Sequence, residues 1–288
     1  NDVLFATISA DFMATLRDTT ATLSSSNVIS LDDLRSFAGC CNHVSRLLWT
    51  WRPLLDELWG AIYSTGASKA PPNCVWKQQV ASALEWIAAF LAENVGSLTL
   101  SWSLARYIAP ATDLLVIFDA SSWGIGSYLV VNGVITKYML SKLTRHDEVV
   151  LRITIGDPRA QQILELLSLL VSVVIWAPIL VQSKCQLRLR GDNVSALTAA
   201  VKLKAASGMM RFLARELAFT FSRFAFEPDV AQHVPGLANI TADALSRCFC
   251  PDAAYSLPEC LQSVVRTKVP VIDASFYHTS SYAARQVA

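Results

Sequence analysis

The dipeptide Asn132-Gly133 stands between two apolar runs, Gly126 to Val131 and Val134 to Leu140. Asn-Gly supplies the two consecutive positive-φ residues of a tight turn whose twist matches paired strands, so the segment predicts a β-hairpin. Just upstream, Asp113-Leu-Leu-Val-Ile-Phe-Asp119 is a short apolar run bounded by acids. That pattern suits a central strand buried on both faces. Three consecutive strands, at least two of them antiparallel, restrict the region to a sheet architecture. Helices follow. Pro158 to about Trp176 reads as a long helix, and Cys185-Gln-Leu-Arg-Leu-Arg190 alternates with the period of a half-buried strand. Asn193 to Lys204 and Gly208 to Thr220 read as helices, Phe224 to Val230 as a last strand, and Val234-Pro-Gly236 as a turn. Asn239 is placed to cap a final helix that holds Asp243. The expected class is α/β.

The upstream part has a different character. Residues 1–65 read as helical, with Ser30 as an N-cap ahead of Asp32 and Asp33, and Pro53 at the start of a further helix. Ser64 to Asn73 reads as a linker, and residues 76–95 as a helix with Trp76, Val80, Leu84, Ile87 and Phe90 near one face. The expected partition is a smaller mainly helical region over 1–70, a linker and helix over 71–109, the α/β domain over 110–250, and a C-terminal tail over 251–288. The chain opens Asn-Asp without an initiating Met, so it reads as a fragment.

Composition narrows the classes. A hydrophobic fraction of 53% with 16% charged residues can build a sizeable core. Net charge is +1, which gives no global pull toward nucleic acid, although a local basic groove is compatible with it. Seven cysteines without a Cys-x-x-Cys pair argue against a secreted disulfide framework and for reduced thiols inside a cell. Cys248, Cys250, Cys260 and His278 can be drawn as a zinc site, but their spacing matches no common finger. Leu166 to Val181 is 16 residues without a charge, short of the roughly 20 a membrane span needs. A buried helix is the expected reading, and no membrane partner is expected.

Four acids sit at element ends in apolar surroundings: Asp119, Glu165, Asp192 and Asp243. A carboxylate buried alone is costly, and several together suit a hard divalent cation such as magnesium. Two such ions can activate water and stabilise the leaving oxygen of a phosphodiester. The separations of 46, 27 and 51 residues mean that only a fold can assemble them. For each acid the alternative is a helix cap or an ion pair, and Asp243 near a helix N-terminus suits that alternative well.

The surrounding motifs resemble those of retroelement ribonuclease H domains. Phe118-Asp-Ala-Ser-Ser-Trp-Gly-Ile-Gly126 resembles their opening strand, Glu165-Leu-Leu their helical motif, and Gly191-Asp-Asn193 their Ser-Asp-Asn motif. The most specific match is His233-Val-Pro-Gly-Leu-Ala-Asn-Ile-Thr-Ala-Asp-Ala-Leu-Ser-Arg247, which resembles the terminal signature. Phe37-Ala-Gly-Cys-Cys-Asn-His-Val-Ser-Arg46 and Arg52-Pro-Leu-Leu-Asp-Glu-Leu-Trp59 resemble the thumb or connection region of a reverse transcriptase, with DIRS-like elements as the nearest flavour. No Tyr-x-Asp-Asp motif is present, so the chain is not expected to polymerise DNA.

The resemblance implies a ribonuclease H-like mixed five-stranded sheet with helices on both faces. It implies hydrolysis of the RNA strand of an RNA–DNA hybrid, with Asp119, Glu165, Asp192 and Asp243 binding two Mg2+ or Mn2+ ions. Ser121, Gly124, Asn193, Lys202, Lys204 and Arg211 become candidates for substrate contact. Arg215 extends the possible basic face, with a solvated helix face as the alternative. Gly124 and Gly126 either let the hybrid backbone approach or shape a bulge, and Trp123 either stacks or packs. His233, at the start of a short loop, stays outside the catalytic set. The implied partners are the hybrid and a reverse transcriptase palm outside this chain, in cytoplasm or nucleus. A catalytically silent nucleic-acid-binding remnant is the competing reading.

Overall fold

The computed structural model describes residues 3–64, 69–93, 97–103, 112–182, 185–205, 208–224, 228–251, 254–273 and 275–277. The chain divides into two units, Asn1–Leu104 and Ala105–Ala288.

In the first unit, β1 (Val3–Thr7) leads into α1 (Ala10–Ser25), β2 (Val28–Ser30), α2 (Leu31–Leu47), α3 (Arg52–Tyr63), β3 (Cys74–Trp76), α4 (Ala81–Leu91) and β4 (Thr99–Ser103). Ser30 caps α2 as expected, accepting from the Asp33 backbone N–H at 3.0 Å. Leu34, Phe37, Val44, Trp51, Leu54, Leu58, Leu84, Ile87 and Phe90 are buried, as their helical spacing requires. The expected helices are joined by two small antiparallel pairings, β1 with β4 and β2 with β3. Trp76 therefore lies in a strand and not on the helix face expected of it. The Gln79 side chain accepts from the Trp76 backbone N–H at 3.1 Å, and the α-helix starts only at Ala81.

The second unit opens with β5 (Thr112–Ala120), β6 (Gly124–Val131) and β7 (Val134–Lys142). Asn132 and Gly133 both take positive φ, 50° and 82°, and close the β6–β7 hairpin. Then come α5 (Arg145–Leu151), α6 (Gln161–Gln182), β8 (Cys185–Gly191), α7 (Val194–Lys202), α8 (Gly208–Phe224), β9 (Pro228–His233), α9 (Ile240–Ser246) and β10 (Val265–Arg266). The sheet order is β10-β7-β6-β5-β8-β9. β5, β6 and β7 pair antiparallel, and β8 and β9 join parallel to β5. This is the ribonuclease H-like mixed sheet expected, with one strand more. The sixth, β10, comes from the segment read as a tail and pairs parallel to β7 at Lys137 and Tyr138.

Helices cover both faces. Leu115 and Ile117 pack with Ala242 of α9. On the opposite face α6 lies over β5 and β6, where the Ser127 and Ser172 hydroxyls meet at 2.6 Å and Ser168 Oγ donates to the Gly126 carbonyl at 3.2 Å. Residues 158–180 form a stretch long and apolar enough to span a membrane by length and composition. Here Leu164, Leu166, Leu167, Leu169, Leu170, Val171 and Val173 are buried in the domain, as the buried-helix reading expected. The helix runs past Trp176 to Gln182, with Pro178 inside its last turns. α8 likewise runs on to Phe224, so the last strand starts at Pro228 and not at Phe224. Helix α5 has no counterpart in the sequence reading. It starts at a capping box in which the Asp147 carboxylate accepts from the Thr144 N–H at 2.7 Å.

The segment after Cys250 wraps the sheet edge. Leu261 is buried with Tyr138, Leu140 and Leu245 on the α9 face. On the α6 face, Trp176 Nε1 donates to Thr267 Oγ1 at 3.0 Å. Tyr277 ends the described path, its ring 5.2 Å from that of Phe212 in α8. The Tyr277 hydroxyl is buried without a hydrogen-bond partner. Burial, and then the Asp147 and Glu216 carboxylates nearby, hold its pKa well above the usual value. Tyr277→Phe is therefore expected to leave the melting temperature unchanged or raise it, because it deletes an unsatisfied buried hydroxyl. Tyr277→Ala is expected to cost about 3–5 kcal/mol through the lost ring. Equal destabilisation by both, measured by thermal melts, would mean that the hydroxyl is the anchor.

Candidate metal centre

Asp119 closes the central strand, where the odd-numbered residues of β5 face α9. It is 3% exposed, and Ser246 Oγ donates to its Oδ2 at 2.6 Å. Glu165 stands in the second turn of α6 and is 1% exposed. Gln161, one turn earlier, donates to Glu165 Oε1 at 2.9 Å and also to the Ala120 carbonyl. Asp192 follows the last residue of β8. A side chain at Gly191 would place its Cβ 2.9 Å from the Phe118 ring, so the glycine lets this strand end close against β5. The loop after β9 is fastened there too. Val234 N–H donates to the Gly191 carbonyl at 3.0 Å, and His233 Nε2 lies 3.0 Å from the Asp192 carbonyl oxygen.

Asp119, Glu165 and Asp192 thus converge, with one ligand oxygen from each within 4.8 Å of the others. Among the described residues no other group of histidines, cysteines and acids could hold a metal. Cys248, Cys250 and Cys260 are free thiols, and His278 lies outside the described residues. Asp243 is not in the trio. Its Oδ1 accepts from Arg247 Nε at 2.6 Å, one helical turn on, although its charge reaches Asp119.

The electrostatics follow from burial. Desolvation pushes Glu165 up to about 9, helped by the Asp119 and Asp192 charges. Desolvation also pushes Asp119 up to about 7, against the Ser246 hydrogen bond and with the Asp192 and Asp243 charges. Glu165 Oε2 is buried with no hydrogen-bond partner. An unpartnered buried carboxylate oxygen among like charges is offset either by a proton or by a cation. Three convergent carboxylates suit a hard divalent cation. The donor set therefore fits a metal.

The remaining candidates are more dispersed. Ser121 is buried and organises the β5–β6 turn, donating to the Ser246 carbonyl at 2.7 Å and accepting from Gly124 N–H at 3.1 Å. Gly124 faces inward, since a Cβ there would lie 2.8 Å from Phe249 Cδ2. Gly126 likewise makes room for α9, and Trp123 packs over Gly156. Asn193 caps α7 through the Ala196 N–H at 3.1 Å. Lys202, Lys204 and Arg211 are exposed, but Arg215 is 7% exposed and is withdrawn from any basic face. The sequence reading gave no role to Gln161, Ser246 or Arg247, and placed Asn239 as a helix cap. Asn239 leaves the cap unmade and instead donates from its side chain to the Phe118 carbonyl at 3.1 Å. Three of the four lie inside the terminal motif. Their i+3 and i+4 spacing from Asp243 was the available signal for Ser246 and Arg247.

The sequence matches no protein-family model and none of the curated proteins. Among solved structures, the chain is similar to the RNase H1 of the halophilic archaeon Halobacterium salinarum NRC-1, at 22% identity and a TM-score of 0.37. That match covers 49% of this chain and 99% of the archaeal one. It is also similar to the foamy viral protease-reverse transcriptase solved with an RNA/DNA hybrid, at 13% identity and a TM-score of 0.29. A second foamy viral structure, solved with double-stranded DNA, aligns at 14% identity and a TM-score of 0.28. The chain spans 30% and 35% of the length of those two viral chains.

Proposed function

We propose that this chain hydrolyses the RNA strand of RNA–DNA hybrids, using two Mg2+ or Mn2+ ions, as the nuclease segment of a retroelement reverse transcriptase. The observation behind this reading is the convergence of Asp119, Glu165 and Asp192 from three separate elements, with Glu165 Oε2 buried and unpartnered. Each of the three stands inside a motif that resembles the retroelement ribonuclease H pattern. Bound divalent ions would lower the pKa of a water and offset charge on the phosphate. The protein's own part is to hold the acids in register. Ser246 orients Asp119 and Gln161 orients Glu165. Asp243, neighbouring Asp119 and paired with Arg247, supplies the fourth carboxylate. Lys202, Lys204 and Arg211 supply exposed positive charge for the hybrid, which would be gripped by its shape and phosphates. The site of action is intracellular, in cytoplasm or nucleus, together with a polymerase palm outside this chain.

The test is cleavage of a labelled hybrid with magnesium, manganese or chelator, beside Asp192→Asn. Asp192 is half-buried, so the variant is expected to keep the fold and its melting temperature. It should lose metal-dependent cleavage by at least about 100-fold, as loss of a group acting on developing charge does. A variant that cuts as fast as the parent removes the centre from the reaction. Folded parent protein that binds the hybrid but never cuts it is the silent module instead.

A further inference from the structure

The wrapping of the C-terminal segment builds a second feature that the acid centre does not use. Lys142 at the end of β7, Arg266 of β10 and Lys268 just beyond it line a cavity of about 290 Å³, with the Phe249 ring in its wall. All three cations are exposed. The Arg266 guanidinium donates to the Leu140 carbonyl at 3.4 Å. Among the described residues none of the three is paired with a carboxylate. Three like charges collected in one concavity and left uncompensated favour an anion.

Sheet register fixes where that anion would lie. Asp119 opposes Gly126, and Gly126 opposes Leu140. Gly124 opposes Lys142 on the same strands, and Arg266 is the partner of Tyr138. Directly opposed and alternate residues share a face, so Asp119, Lys142 and Arg266 belong to the α9 face, and Lys268, just past β10, lines the same cavity. The same face is marked by Tyr138 and Leu140 packing on Leu245, and by the closeness of Gly124 to Phe249. Two strand spacings of about 4.8 Å and two residues of about 3.4 Å put the Lys142 Cα roughly 12 Å from that of Asp119. That is about three to four nucleotide steps along a duplex axis.

We infer that this pocket is a backbone-phosphate site, which grips the polynucleotide substrate a few nucleotides from the acid centre. It rests on the hydrolase reading for its substrate, but its cations come from β7 and the wrapping segment and not from the acid-bearing elements. Its chemistry is sequence-independent: Lys142 and Lys268 act as point charges, and Arg266 as a planar fork suited to phosphate.

The experiment is binding of a fluorescent RNA–DNA hybrid by anisotropy, with chelator present and salt varied from about 50 to 200 mM. The parent is compared with Lys142→Gln/Arg266→Gln/Lys268→Gln. The triple variant is expected to bind about 10-fold or more weakly at the low-salt end. The slope of log K against log salt should flatten by about 0.9 for each phosphate no longer neutralised. Unchanged affinity and slope in a folded triple variant overturn the pocket. If the triple variant fails to fold, Lys268→Glu decides, because Lys268 is exposed and donates no hydrogen bond among the described residues. It should weaken binding several-fold, and parental binding by it overturns the proposal. Turnover is not read, so the two hypotheses fail separately. Intact cleavage with charge-independent binding sinks the pocket, and absent cleavage with charge-dependent binding sinks only the hydrolase.

Discussion

Gly126→Ala is expected to unseat helix α9 and lower the melting temperature of the second unit by about 10 °C. An added Cβ would lie 2.4 Å from Leu245 Cβ, 2.6 Å from Ser246 N and 2.8 Å from the Leu245 carbonyl carbon. Two of those atoms are backbone, so no rotamer change relieves them. On the other side, α6 fixes the strand by the Ser168 bond to the Gly126 carbonyl. Overpacking a fitted core costs about 1–3 kcal/mol and occasionally more, and this geometry belongs at the upper end. At about 2–4 °C per kcal/mol for a unit of this size, the fall is near 10 °C. The same displacement would move Ser246, and with it the hydrogen bond that orients Asp119, so hybrid cleavage should fall in parallel. A contrast lies in the first unit. Gly60 sits inside α3, where an added methyl group would meet nothing within 4 Å, so Gly60→Ala should stabilise that unit by about 0.5–1 kcal/mol. Thermal melts of both variants decide. Gly126→Ala melting with the parent would mean that α9 is not seated against β6 through that glycine.

The parts of the fold legible in the sequence were those with a strong local signal. Asn132-Gly133 forced the hairpin because few other residue pairs take two positive φ values at low cost. The apolar run 114–118 suited a buried strand, and the charge-free run Leu166 to Val181 was too short for a comfortable membrane span and favoured a buried helix. What escaped was set by tertiary packing. β10 is two residues long and exists because Leu261 and Thr267 hold its flanks on either side of β7. Helix α5 is seven residues long, with a Thr-x-x-Asp box as its one local mark. At the centre, three of the four acids come together, and only Asp243, near a helix N-terminus, carried a local sign of a cap or ion pair in the sequence. Asp243 differs because Arg247, four residues on at the C-terminal cap of α9, reaches it. Gln161 was invisible for a related reason. Its role depends on which side of α6 meets the Ala120 carbonyl, and the nearly uniform apolarity of that helix hides its orientation.

Glu165 provides the other large effect, and it tests the metal reading without measuring turnover. The metal-free protein is expected to lose stability as pH rises from about 4 to about 9. The folded pKa values of Glu165 and Asp119 are raised, to about 9 and about 7, from ordinary values of 4.5 and 3.8. Between those limits the unfolded chain has released protons that the folded chain still holds. Their stabilisation is therefore complete below pH 4 and is lost progressively up to pH 9. The melting temperature should fall across this window by at least about 5–10 °C. Magnesium or manganese should restore much of it at pH 8, since a ligand that binds only the folded state stabilises by mass action. Glu165→Gln replaces the group that must hold a proton in the folded metal-free protein with a neutral one of similar volume. It should flatten the pH dependence, make the metal-free protein more stable than the parent at pH 8, and abolish most of the gain from metal. Cleavage should be lost with it. The combination separates a metal centre from a structural acid cluster: a cluster held together by protons alone would show the pH slope but no recovery with divalent ions, and parental metal response in Glu165→Gln would remove Glu165 from the ligand set.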